Sequence, residues 1–394
     1  MSTIRDVVIA GAVRTPIGAF QGSLSSVSAT DLGSLVIKEA VARANLDPED
    51  VNEVIMGNVL PAGLGQSPAR QATLGAGLPQ RTETLTINKV CGSGLKAVML
   101  AAQAIRLGDA DIVVAGGMES MSNVPYYMPK ARDGYRMGHK QVIDGMIHDG
   151  LWDVYNDYHM GNAAELCAKE HGVSREEQDE YARMSYERAQ SAQDEGRFMD
   201  EIVPVEVPQR KGDPVIVDED EEPRRARFEK MPQLRPAFDK EGTVTAANAS
   251  KINDGASAMV VMAADIARER GIPVIAKVID QASAAKAPEW FTTAPIDAIR
   301  KVLEKSGRRQ ESIDLYEINE AFSVVNIVAN TEIGIPREKV NVNGGAVALG
   351  HPIGASGARI LTTLLYALRQ RNLKTGLAAL CIGGGEASAL VVER

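Results

Sequence analysis

Short runs of β-branched and other apolar residues alternate with longer apolar stretches near the start of the chain. Three of the short runs predict buried strands, at residues 7–12, 51–56 and 111–115. Two longer stretches of helical spacing predict helices, at residues 32–44 and 94–107. The second of these is apolar on most sides, which predicts a helix buried between two layers. Strands that alternate with helices in this way predict an α/β fold with largely parallel sheets.

The C-terminal part of the chain shows the same alternation. Strands are predicted at residues 274–279, 315–318 and 377–382, and a strongly apolar helix at residues 355–370. The two ends also share an order of features, namely a Gly-rich turn, a buried helix and an apolar strand that ends in glycines. The turn is at residues 91–94 in the first half and at residues 351–357 in the second. This repetition predicts a duplicated α/β unit with sites at matching turns.

The middle of the chain is more polar and has few strand signals. One helix is marked there by Ser174 and Glu177, whose spacing fits a capping box. Residues 218–230 predict a charged loop. We interpret this region as an insertion in the first half. The predicted division is the N-terminal half core at residues 1–120, the inserted loop domain at 121–249, the end of the N-terminal half at 250–271 and the C-terminal half at 272–394.

Composition and charge narrow the possible functions. The chain has 394 residues, is 44% hydrophobic, and carries 43 basic and 52 acidic side chains, which leave a net charge of −9. An acidic protein lacks the phosphate-neutralising surface on which general nucleic-acid binding depends. No continuous apolar run reaches the roughly 18 to 20 residues of a membrane span. We therefore expect neither nucleic acid nor a membrane as a partner.

Location is predicted from the ends of the chain and from its cysteines. Residues 1–6 contain no apolar signal core, and the C-terminal residues contain no peroxisomal signal. The 3 cysteines are far apart and odd in number, which does not fit a disulfide framework. A reducing compartment, the cytoplasm, is the expectation.

Two cysteines lie where chemistry is possible. Cys91 lies between a strand-like run at residues 85–90 and a helix, where unpaired N–H groups and the helix dipole favour a thiolate and lower the thiol pKa. Cys381 ends an apolar strand and precedes three glycines, whose N–H groups can form an anion-binding nest. Each has a plainer alternative, because Cys91 could be a small buried hydrophobe and the glycines a tight turn. Cys167, in a helical run without glycine, is predicted to be a core residue.

His351 and Asn319 are the other candidates. His351 lies in a Gly-His-Pro turn, where an imidazole can be the base that activates a thiol or an ordinary surface histidine. Asn319 follows the predicted strand at residues 315–318, and α/β sites gather at the carboxyl ends of strands. The alternative role of Asn319 is a helix N-cap. The sequence contains neither the ligand spacing of a zinc site nor a Gly-rich phosphate-binding fingerprint, which disfavours dehydrogenase and P-loop functions.

Five motifs together resemble those of the thiolase family, in the family's order along the chain. They are residues 91–94 (Cys-Gly-Ser-Gly), 319–322 (Asn-Glu-Ala-Phe), 343–346 (Asn-Gly-Gly-Ala), 350–354 (Gly-His-Pro-Ile-Gly) and 381–385 (Cys-Ile-Gly-Gly-Gly). Matches at residues 158–161, 234–238 and 248–250 extend the resemblance over essentially the whole chain. Within the family the chain is similar to the bacterial acetyl-CoA acetyltransferases.

The resemblance implies two βαβαβαββ halves that form a five-layer αβαβα core, with a loop domain inserted in the first half. It implies that Cys91 is the nucleophile that takes the acyl group from a thioester and that His351 activates it. Cys381 would be the base that removes a proton from the second acetyl-CoA. One oxyanion hole would consist of His351 and a water held by Asn319, and the other of the backbone N–H groups of Cys91 and Gly383.

The resemblance also implies a coenzyme A site in the insertion. Arg224 and Ser250 would contact coenzyme A, and His159 would lie near the pantetheine arm. The acyl pocket would be shaped by Met160, Phe238, Phe291 and Phe322. The loop around Arg224 is one residue shorter than in the polymer-forming bacterial enzymes, which leaves open which arginine of residues 224–227 meets the nucleotide. Phe291 stands where those enzymes have methionine, which leaves the length and branching of the acyl group open.

The implied activity is the condensation of two acetyl-CoA to acetoacetyl-CoA plus CoA, and the reverse thiolysis, through an acyl-cysteine intermediate. The resemblance implies no metal and no permanently bound cofactor. The alternatives are a degradative thiolase for longer 3-oxoacyl-CoA chains, a decarboxylating ketoacyl synthase, whose branch lacks the second cysteine, and a non-catalytic relative that binds acyl-CoA or lipid. The family further implies a homotetramer, a dimer of dimers joined by the loop that matches residues 137–153.

Overall fold

The computed structural model describes residues 4–394, so Met1, Ser2 and Thr3 of the predicted N-terminal segment lie outside the described residues. The helices of the described chain are α1 Ala29–Arg43, α2 Pro68–Gly75, α3 Ser93–Leu107, α4 Met160–Glu170, α5 Arg175–Asp194, α6 Ala264–Glu269, α7 Ala294–Lys305, α8 Ser323–Ile333, α9 Ala346–Leu349 and α10 Ile353–Gln370. The strands are β1 Val7–Arg14, β2 Gly18–Ala19, β3 Glu53–Gly57, β4 Glu83–Ile87, β5 Ile112–Ser120, β6 Tyr126–Tyr127, β7 Ile143–Asp144, β8 Trp152–Asp153, β9 Tyr158–His159, β10 Val205–Val207, β11 Val215–Val217, β12 Asn253–Ala263, β13 Ala276–Ala285, β14 Leu315–Ile318, β15 Thr375–Ile382 and β16 Glu386–Glu393. Every strand and helix predicted from the hydrophobic pattern is present, with shifted ends.

The two halves of the core have the same topology. In the first half the strands lie side by side in the order β4-β3-β5-β12-β1. In the second half the order is β14-β15-β16-β13, and a parallel bridge from Tyr316 to Val340 takes the place of the outermost strand. In the first half, β3 pairs in parallel with β4 and β5, whereas β12 pairs antiparallel with β5 and β1. In the second half, β14 and β15 are parallel, whereas β16 pairs antiparallel with β15 and β13. The predicted duplication is therefore confirmed.

The halves join through the first strand of each. Val8 and Ile9 of β1 pair with Lys277 and Ala276 of β13, so the two sheets share an edge.

Both faces of the strands are covered, which explains their continuous apolar runs. Val7 and Ile9 of β1 belong to the same core cluster as α3 and α10, whereas Val8 and Ala10 pack with α1 on the opposite face. The second sheet is packed in the same way, between α3 with α10 on one face and α7 on the other. The layers are therefore helix, sheet, central helices, sheet and helix, which is the predicted five-layer core.

The two central helices approach closely where each carries a glycine. A Cβ atom on Gly94 would lie 2.7 Å from the backbone nitrogen of Ala358, and a Cβ atom on Gly357 would lie 2.3 Å from that of Leu95. Only a residue without a side chain allows this contact. The contact holds the starts of α3 and α10 together, and with them the turns that precede these helices.

The length and composition of one window, Val90–Leu107, are those of a helix that can cross a membrane. The window coincides with α3, and 56% of it is buried inside the molecule. It is a central core helix, and such helices pass the same test.

A buried ion cluster ties the middle of the chain to the core. Arg14 of β1 donates to Glu201 at 2.6 Å and to both carboxylate oxygens of Asp220 at 2.7 and 2.8 Å, and all three side chains are fully buried. Removal of one partner from such a cluster typically costs about 3–5 kcal/mol. The predicted capping box at Ser174 and Glu177 begins α5. The division of the chain at residues 120, 249 and 271 stays a prediction.

Candidate active site

The candidate chemical groups come from matching places in the two halves. Three pairs of residues share a place in the repeated topology: Cys91 and His351 in the turns before α3 and α10, Asn58 and Asn319 directly after β3 and β14, and Glu119 and Cys381 next to last in β5 and β15. Neighbouring parallel strands end at the same edge of a sheet, where α/β sites form. The duplication therefore explains why groups far apart in sequence meet at one place.

A cavity of about 260 Å³ lies where these elements meet. Most of the predicted site residues line it, namely Cys91, His159, Met160, Phe238, Ser250, Phe291, Phe322, His351 and Gly383. Asn319 and Cys381 are buried behind its wall, and Cys381 packs in one cluster with Phe291 and Phe322. The structure thus brings all the predicted catalytic residues to one place.

The turn before Cys91 is strained and tightly held. Val90 has a φ of +45°, a left-handed conformation that β-branched residues rarely adopt. Ser93 Oγ donates to the carbonyl of Val90 at 2.7 Å and accepts from the backbone N–H of Lys89 at 2.8 Å, and the N–H of Val90 donates to Asn88 Oδ1 at 2.9 Å. Strain of this kind persists where the surroundings over-determine it and is common at active sites.

The Cys91 thiol is neutral in the free protein. Burial raises its pKa to about 11, although the backbone N–H groups of Gly383 and of Cys91 itself point to the sulfur and lower the pKa. The expectation of a lowered pKa is therefore wrong, because α3 begins only at Ser93 and burial outweighs the helix terminus. The same two N–H groups are those predicted to form an oxyanion hole.

Burial also raises the pKa of Cys381 well above its ordinary value, and the nearby thiols of Cys91 and Cys167 raise it further. Its thiolate is consequently a strong base once it forms. The residues that follow Cys381 make the turn between β15 and β16, in which Gly384 and Gly385 have φ values of +87° and +85°. The glycine run is therefore a tight turn, and its first residue, Gly383, also faces the cavity.

His351 is buried and neutral. Burial, and secondarily the positive charge of Arg359, lowers its pKa to about 3. Nδ1 lies 2.6 Å from Ser356 Oγ, and the backbone N–H donates to Asn253 Oδ1 at 3.0 Å. Nε2 has no hydrogen-bond partner among residues 4–394. The ring is therefore fixed on one side and available on the other, and the alternative of an exposed turn histidine is wrong.

Asn319 is held by its backbone and has a free side chain. Its N–H donates to the carbonyl of Ala379 at 2.9 Å, across the ends of β14 and β15. Neither polar atom of the side chain has a partner in the described chain, although the residue is only 1% exposed. Such a group can hold a water or a substrate oxygen. The N-cap of α8 is Phe322, so the alternative role of Asn319 as a helix cap is wrong.

Glu119 was not identified from the sequence. Its Oε1 accepts from Asn58 Nδ2 at 2.8 Å and from the N–H of Leu60 at 3.1 Å, and its Oε2 accepts from the N–H groups of Val59 at 3.0 Å and Gly354 at 2.8 Å. This fully buried carboxylate therefore connects the end of β3 to the start of α10, beside Cys91. Its place next to last in β5, which matches Cys381 in β15, is the signal that identifies it.

Arg224 does not line the cavity or its surroundings. It is half exposed and pairs with Asp194 at 3.0 Å and Glu219 at 2.8 Å. Arg225 and Arg227 instead line a second pocket of about 230 Å³. Arg225 also pairs with Glu221 at 2.9 Å, and Glu222 lines the same pocket.

Lys251, which the sequence reasoning missed, lines both the cavity and the second pocket. Its ammonium group donates to the carbonyl of Ala249 at 2.9 Å and lies 5.5 Å from the ring centroid of Tyr186. Burial lowers its pKa to about 8. Together with Lys230 it adds to the positive charge of the second pocket.

The sequence and the fold match known proteins over their full length. The family model "Thiolase, N-terminal domain" matches residues 7–265, and "Thiolase, C-terminal domain" matches residues 272–394. The chain therefore belongs to the thiolase family and is an acyltransferase. The family resemblance and the predicted fold are both confirmed.

Named relatives and solved structures agree with this assignment. The acetyl-CoA acetyltransferase of Cupriavidus necator is 55% identical over 99% of both chains, and acetyl-CoA acetyltransferase 2 of Arabidopsis thaliana is 56% identical over 99% of this chain and 97% of the relative. The crystal structure of the Bacillus anthracis acetyl-CoA acetyltransferase covers 100% of both chains with a TM-score of 0.98 at 41% identity. The Acat5 thiolase of Ascaris suum in complex with coenzyme A covers 99% of this chain and 100% of its own with a TM-score of 0.94 at 48% identity.

The role of Glu119 predicts the effect of an amide in its place. Glu119→Gln turns one acceptor oxygen into an NH₂ group that faces two donors, so we expect a loss of about 2–3 kcal/mol in the free energy of unfolding. Urea denaturation measures this loss, and Glu206→Gln, at an exposed position of β10, is the control. Equal stability of the two variants would show that Glu119 does not join the halves.

Proposed function

We propose that this thiolase condenses two acetyl-CoA to acetoacetyl-CoA and CoA, and catalyses the reverse thiolysis. One observation carries the proposal, namely that Cys91, His351 and Gly383 line a single cavity with Cys381 directly behind its wall. Two thiols and one imidazole at one place match a reaction with an acyl-transfer step and a carbon-deprotonation step. The full-length relatives named acetyl-CoA acetyltransferase support the same activity.

The first step transfers an acetyl group to the enzyme. The Cys91 sulfur attacks the thioester carbonyl carbon while its proton passes to Nε2 of His351, and the C–S bond to coenzyme A breaks as the imidazolium returns that proton to the leaving thiolate. The N–H groups of Cys91 and Gly383 stabilise the oxyanion, and one such donor is typically worth about 100- to 1000-fold in rate. One thioester replaces another, so the step is nearly balanced in energy.

The second step forms the carbon–carbon bond. Cys381 gives its proton to Nε2 of His351, and its thiolate then removes a proton from the methyl group of a second acetyl-CoA. The resulting enolate carbon attacks the acetyl carbonyl carbon on Cys91, the bond from that carbon to the Cys91 sulfur breaks, and the His351 imidazolium returns its proton to that sulfur. The protonated Nε2 of His351 and a water held by Asn319 donate to the enolate oxygen while it carries the negative charge. Burial of Cys381 suits this step, because a raised pKa makes its thiolate a stronger base.

Aromatic side chains limit the acyl group to a short one. Phe322 makes edge contacts with Phe238 at 6.2 Å and Phe291 at 6.5 Å, and His159 stacks on Phe238 at 4.7 Å. These rings line the cavity beside Cys91 and favour a two- or four-carbon acyl group over longer chains. Coenzyme A thioesters are thus substrates, and the reaction needs no resident cofactor or metal.

The positive charge of the second pocket supports its assignment to the nucleotide of coenzyme A. Arg225, Arg227 and Lys230 supply positive charge for its phosphates, and Lys251 connects this pocket to the cavity. Ser250 and His159 line the cavity, and we assign them to the pantetheine arm. The Ascaris suum thiolase structure contains coenzyme A, which supports this part of the proposal.

We also propose an oligomeric state, from the family resemblance and exposed apolar side chains, and a location, from the sequence. The family supports a homotetramer, and large apolar side chains of the matching loop are exposed, Met137 at 89% and Val142 at 61%. A second copy of the chain would cover them. The sequence supports a cytoplasmic location.

The two cysteines have separable roles. Cys91→Ala is expected to abolish both labelling by [¹⁴C]acetyl-CoA and turnover. Cys381→Ala should still be acetylated but lose condensation more than about 100-fold, because general-base catalysis is worth that much. Cys167→Ala, at a buried position of α4, is the control and should keep its activity. Normal turnover by Cys91→Ala, or cleavage of acetoacetyl-CoA without CoA, would contradict the proposal.

The assignment of the nucleotide pocket predicts a change in KM. Arg227→Ala removes a phosphate contact, so KM for acetyl-CoA should rise about 10-fold with kcat unchanged, as expected for a charge-assisted hydrogen bond. Arg224→Ala, outside the pocket, should leave KM unchanged in the same steady-state assay. The opposite pattern would place the nucleotide at Arg224, as the family resemblance implied.

A further inference from the structure

Ser356, which takes no part in the proposed reaction, lies directly against the imidazole of His351. It is fully buried in the first turns of α10. Its Oγ lies 2.6 Å from His351 Nδ1 and 2.9 Å from the carbonyl oxygen of Pro352. We propose that Ser356 is a positioning residue that holds His351 with its proton on Nδ1 and so keeps Nε2 as the proton acceptor for Cys91. This inference rests on the proposed function, because it takes His351 as the base.

The hydrogen bonds favour one tautomer of His351. If Nδ1 carries the proton, Nδ1–H donates to Ser356 Oγ and the hydroxyl donates to Pro352, so that both donors are satisfied. If Nε2 carries the proton, the hydroxyl must turn to Nδ1, and its 2.9 Å hydrogen bond to the carbonyl of Pro352 is lost. The first arrangement is therefore the stable one, and it leaves a lone pair on Nε2.

The same contact supports the charged ring during the reaction. When His351 takes the proton of Cys91, Nδ1–H still donates to Ser356, whose hydroxyl donates onward to Pro352. This support counts because burial and the nearby Arg359 both oppose a positive charge on the ring.

Loss of the hydroxyl should slow the reaction of Cys91 with iodoacetamide, a probe that requires the thiolate. In Ser356→Ala we expect Cys91 alkylation, followed by peptide mass spectrometry, to be about 10- to 100-fold slower at pH 7, the usual effect of removing a partner that orients a histidine. The difference should shrink as the pH rises toward the Cys91 pKa of about 11, because the thiolate then forms without a base. Arg359 beside His351, and Glu119 and Cys381 beside Cys91, stay in place in this variant. Burial raises the pKa of Glu119 to about 7, and its titration is shared by the variant and the wild type.

Kinetics and further variants separate positioning from folding. In Ser356→Ala, kcat should fall by a similar factor with KM unchanged, and Ser356→Thr should restore most of both rates. Ser356→Cys keeps the volume but weakens the hydrogen bond, so it should show the same pH-dependent loss even if the alanine variant does not fold. The control is Ser257→Ala, since Ser257 is buried and donates to the carbonyl of Val13 at 2.9 Å away from the site. In this control variant, Cys91 should react with iodoacetamide at the wild-type rate.

Two outcomes would overturn the inference. The first is a folded Ser356→Ala variant in which Cys91 is alkylated at the wild-type rate at pH 7. The second is a rate of Cys91 alkylation that is lower by the same factor at every pH, which indicates a merely structural role for Ser356. His351→Ala distinguishes this failure from failure of the proposed function. If His351→Ala does not slow the alkylation of Cys91, His351 is not the base and the proposed function fails. If His351→Ala slows alkylation but Ser356→Ala does not, His351 remains the base and only the role of Ser356 is refuted.

Discussion

The close contact between the two central helices is the constraint on which the rest of the structure depends. Gly94 and Gly357 let α3 and α10 meet backbone to backbone, and Cys91 and His351 lie in the turns just before these helices. Because the two halves have the same topology, their matching turns face each other across this contact. A nucleophile from one half and a base from the other thereby reach one cavity without any local sequence relationship.

Burial then determines the chemistry of the groups that meet. It raises the pKa of both thiols and lowers that of His351, so Cys91 and His351 are uncharged at rest and the proton moves between them only during attack. The fixed donors, the N–H groups of Cys91 and Gly383, are already in place for the oxyanion. Hydrogen bonds to Ser356 and to Glu119 hold the ring and the two halves in this arrangement. The enzyme thus relies on preorganised donors more than on charged side chains.

The sequence predicted the fold well, and it singled out residues that the structure brings to one cavity, for physical reasons. Strands covered on both faces read as unbroken apolar runs, and Cys91 and Cys381 stand out because glycines mark the ends of strands and the starts of helices. Features that depend on distant contacts were not predicted. The pKa of Cys91 was expected to fall because burial is invisible in the sequence. The pairing of Arg224 with Asp194 and Glu219 arises only on folding, so the sequence left open which arginine of residues 224–227 meets coenzyme A. Glu119 was likewise missed because its four donors come together only on folding, although its place in β5 matches that of Cys381 in β15.

A crystal structure of the enzyme after exposure to acetyl-CoA tests the central claim most directly. The account predicts an acetyl group on the sulfur of Cys91, with its oxygen within about 3 Å of the N–H groups of Cys91 and Gly383 and its methyl group on the side of Cys381. An acetyl group on another side chain, or a Cys381 thiol that faces a separate cavity, would contradict it.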